Sequence, residues 1–306
     1  MKTLCMPNHL LVVLLASLLL PIAAHAQQIA VTFDDLPAHS ALPPGETRMQ
    51  VAASVLQTLK AANMPPVYGF VNGVHVQTQP QLIQVLDAWR AAGNPLGDHT
   101  WSHMDLNKHT LEEFEGDVQR NQSLLSREMG AEDWHWLRFP YLSEGDTPEK
   151  SAGVRAFLLQ HGYRIADVTI SFDDYAWNGP YARCSAKGDA KAIAQLESSY
   201  LAAAGRSIDY YRGLSHTLYG RDIPYVLLVH IGAFDARMLP RLLDLYRSRG
   251  FSFITLSEAE KDDFYREDTD LALPPGPDSL ENVMRARHLP LPARPQPPAE
   301  LQTVCK

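Results

Sequence analysis

His99 and His103, four residues apart in HTWSH, are the first side chains with a spacing that suits chemistry. Such a pair presents two imidazoles together when its segment is a helix or a tight turn. Histidines also serve as caps and satisfied core groups, so the pair alone does not define a metal site. A third donor is offered by VTFDD, residues 31–35, where a β-branched and aromatic run ends on the adjacent carboxylates Asp34 and Asp35. Neighbouring side chains on a strand point to opposite faces, so both acids face outward only if the strand is ending and the backbone turning. One carboxylate and two imidazoles make three protein ligands with room for water. That is the donor set of a catalytic divalent site, not of a closed structural one.

The elements that must bring these residues together alternate in type. The strand at VTFDD is followed by the loop ALPPGETR and by helical spacing over 47–63, carried by Val51, Val55, Leu56 and Leu59. PPVYGFVNG reads as a strand, 80–92 as a helix, Leu96 as a short strand, 111–129 as a helix and WHWLRF as a strand. A helix over 149–160 stops at His161-Gly162, and YRIADVTI is strand-like. Strong helix formers in AKAIAQLESSYLAAAG predict a helical insertion over about 185–220. IPYVLLVHI then reads as a fully buried strand, 236–250 as a helix and FSFITL as a closing strand. This βα alternation predicts an α/β fold, either a parallel barrel or an open wound sheet, and both collect chemistry at the C-terminal ends of strands. VTFDD, GDHTWSH, RFPY and LLVH all place polar groups there, so four segments are expected to converge on one mouth.

Of the 306 residues, 45% are hydrophobic and 20% charged, a globular composition. The formal net charge of −8 excludes a basic nucleic-acid footprint. Residues 1–26 follow the secretory pattern: Lys2, the apolar run LLVVLLASLLL, and Ala24-His25-Ala26 before an expected cleavage. Export to the periplasm or the medium is the expectation, with a mature chain that does not insert in a membrane. Cys184 and Cys305 would then sit in an oxidising compartment, where a disulfide can tie the tail to the body. The expected organisation is a signal peptide over 1–26, one domain over 27–272, and a proline-rich tail over 273–306 running extended on the surface. The sequence leaves the oligomeric state open.

The motifs resemble those of the polysaccharide deacetylases (carbohydrate esterase family 4). Thr32-Phe33-Asp34-Asp35, His99-Thr100-Trp101-Ser102-His103, Arg138-Phe139-Pro140-Tyr141 and Leu228-Val229-His230 match the family's patterns in order. The resemblance implies a distorted (β/α) barrel and metal-dependent removal of acetyl groups from a glycan, with Zn²⁺ the first choice of ion. It assigns Asp35, His99 and His103 to the metal and Asp34 to general-base catalysis. Arg138 would hold Asp34 ionised, the Tyr141 backbone N–H would stabilise the oxyanion, and His230 would protonate the leaving nitrogen. The family's Asp-x-x-Asp-Trp pattern is altered here to Ser171-Phe172-Asp173-Asp174-Tyr175. Asp174 is the expected partner of His230, with Asp173 its rival, and Trp177 is a replacement for the missing aromatic wall. Tyr141, Tyr175, Trp177 and Trp101 are the candidate sugar contacts. The rival readings are an O-acetyl esterase or small-amide hydrolase of the same family, and a glycan-binding protein without turnover.

Overall fold

The structure is a computed structural model that describes residues 27–306; the expected signal peptide lies outside the described residues. Strand β1 (Gln27–Leu36) is the axis of the fold, and its residues 29–34 are all buried. A near-continuous apolar run of this kind suits a parallel strand covered on both faces. On one side β1 pairs with β6 (Tyr225–His230). On the other side follow β2 (Tyr68–Val71), β3 (Leu96–Asp98), β4 (Trp136–Leu137) and β5 (Arg164–Ile165), while β7 (Phe251–Phe253) pairs with the first residues of β1. Every pairing in this seven-stranded sheet is parallel. Beyond β5 the chain reaches round to bridge Ile170 with Leu227 of β6, so the sheet curls back on itself. Of the two architectures expected, the barrel-like one is realised.

Helices cover the outside of this sheet. They are α1 (Arg48–Ala61), α2 (Val74–Thr78), α3 (Ile83–Ala91), α4 (Leu111–Met129), α5 (Pro148–Gln160) and α6 (Asn178–Ala186). After them come α7 (Ala190–Tyr219), α8 (Ala233–Ser248), α9 (Leu256–Ala259), α10 (Arg266–Thr269) and α11 (Leu280–Ala286). Thr47 and Thr110 start α1 and α4 with reciprocal capping boxes through Gln50 and Glu113, which satisfies N–H groups otherwise left unpaired.

Two segments differ from the sequence expectation. YRIADVTI contributes only Arg164 and Ile165 to the ladder, because the Asp167 N–H donates to the Glu260 carboxylate at 3.1 Å and pulls the chain off strand geometry. The proline-rich tail is not simply extended. Ser279 caps α11, whose Leu280, Val283 and Met284 are buried, and Leu301 is buried further on. The tail is also fastened: Cys184 of α6 is disulfide-bonded to Cys305, and the Arg183 guanidinium donates to the carbonyls of Leu301 and Val304. The segment read as a helical insertion is α7, 30 residues long and therefore about 45 Å. It buries Leu196, Tyr200, Ile208, Tyr211 and Leu214 along one face.

Candidate active site

The end of β1 shows how two adjacent acids reach one mouth. Asp34 lies in register with His230 at the end of β6. Asp35 takes a left-handed backbone (φ 65°), and the β1–β2 register shifts between Phe33 and Leu36. A bulge of this kind re-aims a side chain that strict alternation would send to the opposite face. The two histidines are held by a turn, not by a helix. Thr100 and His103 are both left-handed, at φ 60° and 59°, and the rings of His99 and His103 lie 4.8 Å apart. Asp98 pins this turn: its carboxylate accepts from the Thr100 N–H, the Asn121 amide and the Tyr163 hydroxyl at 2.8–2.9 Å. The Ser102 N–H donates to Asp117, and the Met104 N–H to the Thr100 hydroxyl.

Around Asp35 the geometry suits a cation. Asp35 Oδ1 is buried with no hydrogen-bond partner, 3.5 Å from His99 Nε2 and 3.4 Å from His103 Nε2. His99 Nδ1 lies 2.7 Å from the Arg138 carbonyl, so that nitrogen carries the proton and Nε2 presents a lone pair. Burial, and then the neighbouring His99, hold His103 down at about 4, so it is a neutral imidazole at pH 7. Burial alone would raise the Asp35 carboxyl; the hydrogen bond from His39 and the surrounding imidazoles outweigh it and keep Asp35 well below the usual carboxylate range. A second trio, Asp35, His39 and His230, is equally close-set. It fits less well, because Asp35 Oδ2 is already bonded to His39 Nδ1 at 2.7 Å and His230 Nδ1 to Asp174. One O and two N donors with an orphaned buried oxygen between them match a divalent ion such as zinc.

Asp34 borders that set, its Oδ2 3.8 Å from His99 Nε2, but it is bonded on the side away from it. The buried Arg138 guanidinium contacts both of its oxygens at 3.1 and 3.3 Å, and also donates to the Thr32 hydroxyl and the Ala166 carbonyl. On the other wall, Asp174 accepts from the His230 backbone N–H at 2.7 Å and faces His230 Nδ1 at 3.0 Å. Burial by itself would lower the His230 imidazole, but the Asp174 charge and hydrogen bond push it up to about 10. The site thus sets a carboxylate and a protonated imidazole on either side of a cation-ready cluster. That arrangement can take a proton from one group and give one to another.

Asp34, Asp35, His99, His103, Arg138, Tyr141, Tyr175 and His230 all line one cavity of about 860 Å³. Tyr141 is 64% exposed with its ring 4.6 Å from His103, and Tyr175 is 49% exposed with its ring 5.4 Å from His230. Two expected sugar contacts are corrected. Trp177 is fully buried, donates its indole N–H to Ser199 and packs on Tyr200, so it cannot touch a ligand. Trp101 is turned away under the Arg120 guanidinium and against Gly73, outside the cavity lining. Of the rival acids, Asp173 is paired with Arg294, which leaves His230 to Asp174. His39 was missed. Its only sequence signal is the four-residue step from Asp35, within a stretch that reads as loop.

A family model described as polysaccharide deacetylase matches residues 22–166. That span contains the first three motifs; Asp174 and His230 lie beyond it. A chitin deacetylase from Colletotrichum lindemuthianum is 24% identical over 236 residues, 75% of this chain and 78% of the other. The solved structure of the chitin deacetylase from that fungus superposes with a TM-score of 0.53 at 21% identity, covering 80% of this chain and 91% of that one, which is a likeness of fold. The peptidoglycan-N-acetylglucosamine deacetylase PgdA of Listeria monocytogenes is 30% identical over 110 residues, 36% of this chain and 21% of the relative.

Proposed function

We propose, from the polysaccharide deacetylase kinship of residues 22–166 as premise, that the chain is an exported metal-dependent hydrolase that removes N-acetyl groups from a glycan. The relatives' names point to N-acetylglucosamine polymers as the substrate type. Asp35, His99 and His103 would hold the ion, with Zn²⁺ the first choice for an O,N,N donor set. When bound, such an ion acts as a Lewis acid on the acetyl carbonyl and makes water acidic enough to be deprotonated near neutral pH.

The chain's own residues supply the rest. Asp34, oriented by the Arg138 guanidinium, takes the proton of the attacking water. The Tyr141 backbone N–H would be the donor to the developing oxyanion, a contribution of about 3–4 kcal/mol in well-studied hydrolases. His230 delivers a proton from Nε2 to the sugar nitrogen, which otherwise cannot depart, and Asp174 fixes its ring and charge through Nδ1. Tyr141 and Tyr175 flank the opening as sugar contacts.

One observation carries this reading. Asp35 Oδ1 is an orphaned oxygen between two imidazoles, while both oxygens of its sequence neighbour, which borders the same set, are engaged by an arginine. A binding protein needs no such free base. The test is acetate release from chitooligosaccharides and peptidoglycan fragments by zinc-loaded protein. Wild type is expected to release acetate, and Asp34→Asn to lose about 10²–10⁴ of the rate at unchanged metal content. No release by loaded wild type from any of these glycans would contradict the hydrolase reading.

A further inference from the structure

The family match ends at residue 166, but the cavity above Asp35 continues onto later segments. Tyr210 and Tyr211 of α7, and Leu291 and Arg294 of the tail, line it together with Asp278 just before α11. Arg294 ties the tail to α7 and to the segment that carries Asp173. It donates to Asp173 Oδ1 at 3.0 Å and to the Tyr211 hydroxyl at 3.2 Å, and Asp173 immediately precedes the acid that fixes His230. The wall is anchored from behind by the buried side chains of α11 and by the Cys184–Cys305 disulfide.

We propose that this wall closes one side of the cleft, so that the site takes the end of a short acetylated oligosaccharide and not an internal unit of a long polymer. The inference rests on the deacetylase reading above and names its substrate class. The volume of about 860 Å³ is in the range of sites that take whole small ligands. A polymer lying across the acetyl site needs an exit at both ends, and on this proposal the Arg294 tie crosses one of them. Tyrosine rings suit sugar faces, and the Asp278 carboxylate and the Arg285 guanidinium on the rim suit hydroxyls. The wall therefore reads as a subsite.

The test uses the full-length, zinc-loaded protein on N-acetylglucosamine oligomers of increasing length and on polymeric chitin, with products mapped by mass spectrometry and binding followed by tyrosine fluorescence. Short oligomers are expected to be turned over with kcat/KM at least about tenfold above long chains, with the loss of acetyl confined to a terminal unit. Arg294→Ala is expected to raise the long-to-short ratio about fivefold, and Cys305→Ser, which frees the tail by a separate route, to shift it the same way. Deacetylation of internal units as fast as terminal ones, or a ratio unmoved in both variants, would overturn the wall while leaving the hydrolase intact. Tighter binding of short oligomers without acetate release would uphold the wall and overturn the hydrolysis. Neither binding nor release overturns both.

Discussion

Asp34 and Asp35 differ by one position in sequence and by everything in surroundings. The left-handed backbone at Asp35 turns its carboxyl toward the two imidazoles, while Asp34 stays in strand register and meets Arg138. His39 completes this arrangement by holding Asp35 Oδ2 at 2.7 Å, which aims Oδ1 at the open position. Partners of this kind tune a ligand, so His39→Ala should weaken zinc binding about 10–100-fold, as measured by competition with a chromogenic chelator. Unchanged affinity would remove His39 from the account. Asp174 sets a pH signature. His230 is protonated well above the ordinary histidine range, so its acid function is present at neutral pH and is lost as the pH rises through its elevated value. Asp174→Asn should therefore pull the alkaline limb of kcat/KM down by at least about one pH unit. An unmoved limb would mean that another group is the acid. At this scale the motif residues were legible because their types and order are unusual, whereas His39 sits in a loop where a histidine carries no pattern. Trp177 misled for a physical reason: an aromatic two residues past a motif reads the same whether it faces solvent or, as here, the core.

Elements were legible where periodicity is long. The reading of 111–129 as a helix coincides with α4, and the apolar run of β6 was read as a buried strand. Short elements were not, because pairing outside the window decides them. Only two residues each of WHWLRF and YRIADVTI enter the ladder, since neighbouring side chains and the bridge to β6 capture the remaining backbone. The same close quarters make β3 sensitive. A Cβ on Gly97 would stand 2.6 Å from the Phe70 ring and 2.9 Å from the Trp136 carbonyl, and the carbonyl cannot swing away without shifting β4. Gly97→Ala should then cost about 1–3 kcal/mol in urea unfolding and, two residues from His99, also weaken zinc binding. Wild-type stability and affinity together would show that the strands have slack that this packing denies. The tail was half legible. Its prolines were plain, but the disulfide and the burial of α11 depend on distances that no spacing reveals.

For the whole molecule, acidic groups are buried inside as well as spread outside. Asp167, Glu260 and Asp268 are buried close to one another, and Glu144 lines the cavity beside Asp167. Arg155 is the only buried cation paired with this group among the described residues, through Asp268 at 3.4 Å. Burial, then mutual repulsion, raises the pKa values of Asp167, Glu144 and Glu260, and burial raises that of Asp268 to about 6. An acid whose pKa is higher folded than unfolded binds more protons when folded, so stability falls as the pH rises from its unfolded value through its folded one. The melting temperature should therefore be higher near pH 5.5 than near pH 8 by about 3 °C or more, and Glu260→Gln should flatten the difference. A melting temperature that climbs with pH over that window would contradict it. No described helix is long and apolar enough to cross a membrane. The most direct test is to strip the protein of metal and titrate zinc back while following acetate release from an N-acetylglucosamine oligomer. Activity is predicted to rise in proportion to zinc and to saturate at one ion per chain, with Asp34→Asn binding the same ion and releasing almost nothing. Full activity in the stripped protein, or in zinc-loaded Asp34→Asn, would contradict the account.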